Sequence, residues 1–115
     1  MVTQQNEVRV KPECALARVK ELAAEQAVSY GGRRVQNHVA NLSYSFEAVC
    51  ECLTQLTAAH FKHSERYGPD GPWHDVFLMK YRGPAGHDDD LYIKLRLDRD
   101  CLCILLFSFH LEGAL

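Results

Sequence analysis

This sequence predicts an α+β fold, with N-terminal helices packed on an antiparallel sheet formed mainly by the C-terminal half. Two observations on order and spacing carry that prediction. Apolar residues recur at helical spacing through residues 12–59, and at two-residue spacing through residues 73–109. Helices come first and strands follow, which is the segregated order of α+β rather than the alternating order of α/β. Length and composition supply the third. At 115 residues the chain is sized for one domain with a real core, and its 47% hydrophobic and 24% charged residues exclude a disordered protein.

The elements follow in order. Residues 1–10 are polar and read as flexible or as a short edge strand. Pro12-Glu13 opens a helix to about residue 26, because proline suits the first turn and glutamate suits the positive end of the dipole. Leu16, Val19, Leu22 and Ala23 form its apolar face. Gly31-Gly32 breaks the chain, and a second helix spans residues 33–42 with Val35, Val39 and Leu42 on one side. Ser45 caps a third helix, with Glu47 in its first turn and Phe46, Val49, Cys50, Leu53 and Leu56 at helical period to about residue 59.

His60-Phe61-Lys62-His63 loses that period and starts a short strand. Residues 67–72 have loop composition. Residues 73–82 alternate, with Trp73, Phe77, Met79 and Tyr81 on one side and His74, Val76, Leu78, Lys80 and Arg82 on the other. Trp73 reads as core. Residues 83–90 read as a loop, and its acidic run Asp88-Asp89-Asp90 as solvated, since consecutive carboxylates seldom converge on one ion. Residues 91–97 put Leu91, Ile93, Leu95 and Leu97 on one face and Tyr92, Lys94 and Arg96 on the other. Asp98-Arg99-Asp100 is a turn. Residues 101–109 are apolar on both faces, with Cys101, Cys103, Leu105, Phe107 and Phe109 sharing one.

The net charge is −2, from 13 basic and 15 acidic residues. That balance excludes a bulk polyanion binder, so a nucleic acid would need a local basic face. Five cysteines make an odd number without any C-x-x-C pair, which suits free thiols in a reducing compartment. No apolar run approaches the length of a membrane span, and MVTQQNEVRV lacks the apolar segment of an export signal. The expected location is the cytoplasm.

The C-terminal two-thirds resembles the MqsR family. The blocks that carry the resemblance are Phe61-Lys62, Trp73-His74-Asp75-Val76-Phe77, Leu91-Tyr92-Ile93-Lys94-Leu95 and Leu105-Leu106-Phe107-Ser108-Phe109-His110. Leu16, Val19, Lys20 and Leu22 also fit the family's N-terminal helix. The order and spacing agree over about residues 12–112, apart from longer loops at 83–90 and 98–101. The resemblance implies one toxin domain over residues 1–115 with a RelE-like fold. It implies a ribosome-independent mRNA interferase that inhibits translation, and a cognate antitoxin that is typically zinc-containing and DNA-binding. No cofactor, membrane or direct DNA contact is expected for the toxin itself.

In that family a lysine, a glutamine, a tyrosine and a second lysine form the RNA-cleaving face. They fall on Lys62, His74, Tyr92 and His110. Lys62 and Tyr92 retain the family's residue, while the glutamine and the terminal lysine have both become histidine. Metal-independent RNA cleavage needs a base for the 2′-hydroxyl, an acid for the leaving 5′-oxygen and cations for the phosphate. Imidazoles suit the proton transfers, so His74 and His110 are the expected acid–base pair. Lys62 would clamp phosphate and Tyr92 would position it or donate a proton. Lys94 and Arg96 beside Tyr92, together with His63, are the expected RNA-binding residues.

Each has a plainer reading: Lys94 and Arg96 as a solvated strand face, His110 as surface, His74 as a structural hydrogen-bond partner. At the level of the whole protein the alternative is a toxin-like interaction module that holds the antitoxin without cutting RNA. A redox- or metal-sensing domain built on the cysteines is a third. The ligand spacings oppose it, since Cys50 and Cys52 point apart on a helix and His60/His63 has no further ligands near it.

Overall fold

A computed structural model describes residues 6–113, and the fold is α+β as the sequence predicts. Strands β1 (Asn6–Arg9), β2 (Val28–Tyr30), β3 (Phe61–Tyr67), β4 (His74–Arg82), β5 (Asp88–Leu97) and β6 (Ile104–Leu111) form one sheet in the order β1-β3-β4-β5-β6-β2. All pairs are antiparallel except β2 with β6. Helices α1 (Leu16–Ala24), α2 (Arg33–Asn41) and α3 (Phe46–Thr54) supply the other half of the core. Val19, Leu22, Val35, Val39, Val49 and Leu53 meet Phe77, Met79, Leu91, Ile93, Leu95, Ile104, Leu106 and Phe109 from the sheet. Among the described residues, no helix is long and apolar enough to cross a membrane, and no group of three or more His, Cys, Asp or Glu could hold a metal ion.

Residues 1–5 lie outside the described residues, and the remainder of the polar N-terminus forms edge strand β1 against β3. Helix α1 starts at Leu16, not at Pro12. The reason lies 60 residues away. The fully buried carboxylate of Asp75 accepts the backbone N–H of Glu13 at 2.8 Å and of Cys14 at 2.9 Å. Those two bonds hold residues 13 and 14 out of the helix and tie the connection to β4. At α3 the expected cap is present, with Ala48 N–H donating to Ser45 Oγ at 3.0 Å. The helix ends at Thr54, short of residue 59, and a 3-10 turn over Ala58–His60 leads into β3.

Four further expectations are corrected. Asp88-Asp89-Asp90 is not a solvated loop but the start of β5, paired with Arg82, Tyr81 and Lys80. Asp90 and Asp88 meet Lys80 and Arg82 at 3.3 and 3.9 Å, while buried Asp89 accepts the hydroxyl of Tyr44 at 2.8 Å. Gly83 lies so close to this pair that a Cβ there would collide with the Asp89 carboxylate. Trp73 is not core; the guanidinium groups of Arg9 and Arg66 lie over its ring at 4.0 and 4.8 Å, pinning β1 to the β3–β4 loop.

Cys101 is not in β6. Asp98 Oδ1 accepts N–H groups from Leu102 and Cys103, so the turn extends to Cys103 with Cys101 at φ 56°. Nor does one face of β6 run unbroken from 101 to 109. Lys94 pairs with Ser108 and Leu95 with Leu106, so Phe107 is an extra residue at a bulge. Leu106 and Phe109 therefore both enter the helix-side core, and Phe107 turns to the other face.

Candidate nucleic-acid interface

The sheet face opposite the helices carries the chemistry. The register puts His63, Glu65 and Tyr67 of β3 on it, followed by His74, Val76 and Leu78 of β4. β5 contributes Tyr92, Lys94 and Arg96, and β6 contributes Phe107, Ser108 and His110. Val76 is fully buried although it lies outside the helix-side core, so these side chains form a packed layer rather than a loose fringe.

A chain of hydrogen bonds crosses the centre of this layer. Lys94 Nζ donates to Tyr67 OH at 3.0 Å, and Tyr67 OH donates to Glu65 Oε2 at 3.1 Å. The other oxygen, Oε1, is 3.1 Å from His63 Nε2. Burial alone would raise the Glu65 carboxyl. The His63 bond, the Lys94 charge and the Tyr67 bond outweigh it and hold Glu65 below its usual range. Burial first, and then the facing Glu65 charge, push the Tyr92 hydroxyl up to about 12, so it stays a donor at neutral pH.

The two histidines singled out in the sequence have different surroundings. His74 is 8% exposed, edge-on to Phe107 at 4.8 Å and to Tyr67 at 6.3 Å, and its buried Nδ1 has no hydrogen-bond partner. Burial, then the charges of Lys94 and Arg96, lower its pKa and favour the neutral imidazole. His110 is half-buried, stacked on Tyr92 with centroids 5.1 Å apart and planes 11° apart. Its Nδ1 lies 2.8 Å from the carbonyl of Leu111. A carbonyl only accepts, so the proton of the neutral ring is on Nδ1 and Nε2 is the free nitrogen.

His110 opens on a groove of about 520 Å³ lined by Arg34, His38, Tyr92, Lys94, Phe107, Ser108, His110 and Gly113. None of these residues is acidic. In a chain of net charge −2, two fixed cations and two imidazoles share one cavity without a carboxylate in its wall. Arg34 and His38 come from α2, which packs along β6 because β2 pairs only with Ile104–Leu106 and leaves the rest of that edge uncovered. Gly31, just before α2, lets Phe107 lie close, since a Cβ there would be 2.5 Å from the ring.

Of the residues expected from the sequence, the structure brings Tyr92, Lys94 and His110 together in the groove. Arg96 lies over the Phe107 ring at 5.5 Å without lining the groove, and His63 is bound to Glu65. His74 contacts the groove wall through Phe107 without lining the cavity. Lys62 is exposed at a bulge in β3, between Phe61 paired with Phe77 and His63 paired with Val76, and does not line the groove.

Sequence reasoning missed Glu65, Tyr67, Arg34 and His38. For the first two, the signal is strand alternation with His63 at 63, 65 and 67. For the others it is four-residue spacing beside the apolar Val35–Val39 stripe. A family model described as "Motility quorum-sensing regulator, toxin of MqsA" matches residues 11–110. No curated protein matches the chain.

Proposed function

The chain belongs to the MqsR toxin family, and from that premise we propose that it is a metal-independent endoribonuclease that cuts messenger RNA and so blocks translation. Its partner in this reading is an antitoxin of the MqsA type, zinc-containing and DNA-binding, and the setting is the cytoplasm. The single observation that carries the cleavage reading is the acid-free groove in which Lys94 and Arg34 accompany His110 and Tyr92. A phosphodiester backbone is the ligand such a wall favours, because each cation that meets a phosphate releases bound counterions.

The chemistry requires no metal. The 2′-oxygen of one nucleotide attacks the adjacent phosphorus and the P–O5′ bond breaks, leaving a 2′,3′-cyclic phosphate and a 5′-hydroxyl. Lys94 and Arg34 stabilise the charge that builds on the non-bridging oxygens. His110, with Nε2 free, is an acid–base group, a role generally worth about 10²–10⁴-fold in rate. Tyr92 positions that ring by stacking, with its own hydroxyl facing the Glu65 carboxylate. His74, enclosed and neutral, takes a positioning role: it backs Phe107 and Tyr67 and so shapes the groove wall. Lys62, Arg96 and His63 extend the surface that follows the RNA strand, with Lys62 as a phosphate contact outside the groove.

The test is cleavage of a long mixed-sequence RNA in excess EDTA by purified wild type, His110→Ala and Lys62→Ala, with the new ends mapped. Discrete cuts by wild type, slowed at least about tenfold in His110→Ala, are expected. Lys62→Ala should weaken RNA binding while leaving the cut positions unchanged. No cutting by well-folded wild type would refute the reading and leave an antitoxin-binding module without nuclease activity.

A further inference from the structure

One imidazole cannot both remove the 2′ proton and protonate the 5′-oxygen of the same phosphate, because the two oxygens lie in line on opposite sides of phosphorus. His110 therefore needs a counterpart in the groove. His74 is badly placed for it. The register sets His74 and His110 two strands and four residues apart, about 16 Å between backbones at ordinary strand spacing and rise. His74 also lies behind Phe107 and does not line the cavity.

The groups that share the groove with His110 are Arg34 and His38 from α2, and Tyr92 and Lys94 from β5. Arg34 does not exchange its proton at any working pH. Lys94, held by its bond to Tyr67 OH, is the cation that meets the phosphate oxygens. The Tyr92 hydroxyl faces the Glu65 carboxylate. His38 remains. Its ring meets His110 edge-on, with centroids 5.2 Å apart and planes 78° apart, whereas Tyr92 stacks on His110 nearly parallel. It sits one helical turn after Arg34, on a helix anchored by buried Val35 and Val39. An imidazole beside the first one, on a rigid element and next to a fixed cation, is what the second proton transfer requires.

We propose that His38 is the second catalytic residue of this groove, protonating the departing 5′-oxygen while His110 takes the proton of the attacking 2′-hydroxyl. The direction follows from the tautomer. With Nδ1–H bound to the Leu111 carbonyl, neutral His110 presents a bare Nε2, which accepts a proton. The cycle balances. The O2′–P bond forms and the P–O5′ bond breaks, His110 gains the 2′ proton, and His38 loses one to the new 5′-hydroxyl. Water then exchanges the two protons. The inference rests on the endoribonuclease reading.

The test places a sulfur in the 5′ bridging position of a mapped cleavage site, since a thiolate leaves without being protonated. Wild type, His38→Ala, His110→Ala and His74→Ala are compared on the oxygen and sulfur linkages, with thermal melts to confirm folding. The expected result is that His38→Ala loses about 10²-fold on the oxygen linkage and regains most of that on sulfur. His110→Ala stays slow on both. His38→Gln, which keeps the side-chain size, repeats the pattern if the alanine variant fails to fold. Equal loss on both linkages, no loss at all, or sulfur rescue in His74→Ala would overturn the proposal while leaving a cutting wild type as evidence for the nuclease. A wild type that cuts neither RNA would overturn both.

Discussion

Replacing Gly31 with alanine tests how tightly the groove wall is built. A Cβ at this position would stand 2.5 Å from Phe107 Cδ1 and 3.2 Å from the Leu106 carbonyl oxygen, whereas ordinary contact begins at 3.4 Å. The ring must therefore retreat by about 0.9 Å, the difference between 3.4 and 2.5 Å. The backbone at Leu106 has little freedom to follow, since its carbonyl accepts Gly31 N–H at 2.7 Å. Phe107 is only half-buried, so the ring yields into the groove rather than into the core. That places the cost at about 1–2 kcal/mol, in the lower part of the range for overpacking.

The assay is urea unfolding of wild type, Gly31→Ala, Phe107→Ala and the double variant. Removing the ring removes the clash, so the cycle should return a favourable coupling of at least about 0.5 kcal/mol between the two substitutions. RNA binding should fall in Gly31→Ala, because the displaced ring narrows the cavity. Additive single effects, or a neutral Gly31→Ala, would refute the claim that Gly31 is there to admit Phe107.

Tyr44→Phe removes the donor from the buried carboxylate of Asp89 and should cost about 1.5–3 kcal/mol, read as a fall in urea midpoint at constant slope; a change below about 0.5 kcal/mol would mean Asp89 is satisfied without it. His74 has a lowered folded pKa, so its contribution is fully present above the unfolded value of 6.5 and is lost as pH falls through the depressed folded value. His74→Leu should accordingly flatten the pH dependence of stability just below 6.5, and an unchanged slope there would count against a buried neutral imidazole. Glu65 follows the usual carboxylate sign: its stabilisation holds above 4.5 and is lost in more acid solution, so Glu65→Gln should remove that part of the acid limb. RNA affinity should fall linearly with log salt, and Lys94→Ala should reduce the slope by about 0.7 if that lysine meets one phosphate of a single strand; an unchanged slope would place the RNA elsewhere.

Several features were legible because they depend on neighbours along the chain. The Ser45 cap, the apolar stripes of α1, α2 and α3, and the alternation of β5 each involve residues within a few positions of one another. The blocks around Lys62, His74, Tyr92 and His110 were enough to identify the family. Other features depend on partners remote in sequence. Pro12-Glu13 reads as a helix start until Asp75, more than 60 residues later, claims the next two amides. Three aspartates in a row read as solvated until β4 supplies Lys80 and Arg82 opposite two of them and Tyr44 meets the third. Strand β2 has only three residues, too few for any periodic signal, and it exists because the edge of β6 accepts it.

The sequence by itself determined the α+β class, the family, and the basic and aromatic character of one face of β5, because side-chain spacing along a helix or strand is set by backbone geometry alone. Only the tertiary structure decided which residues share the groove. The bulge at Phe107 reverses the faces of β6, enclosing His74 and opening His110, and a one-residue offset of that kind leaves no periodic trace in an apolar run. The packing of α2 along the uncovered part of β6 then brings Arg34 and His38 to His110 across more than 70 residues of chain. Spacing within an element follows from local geometry, whereas company between elements follows from how their buried faces fit.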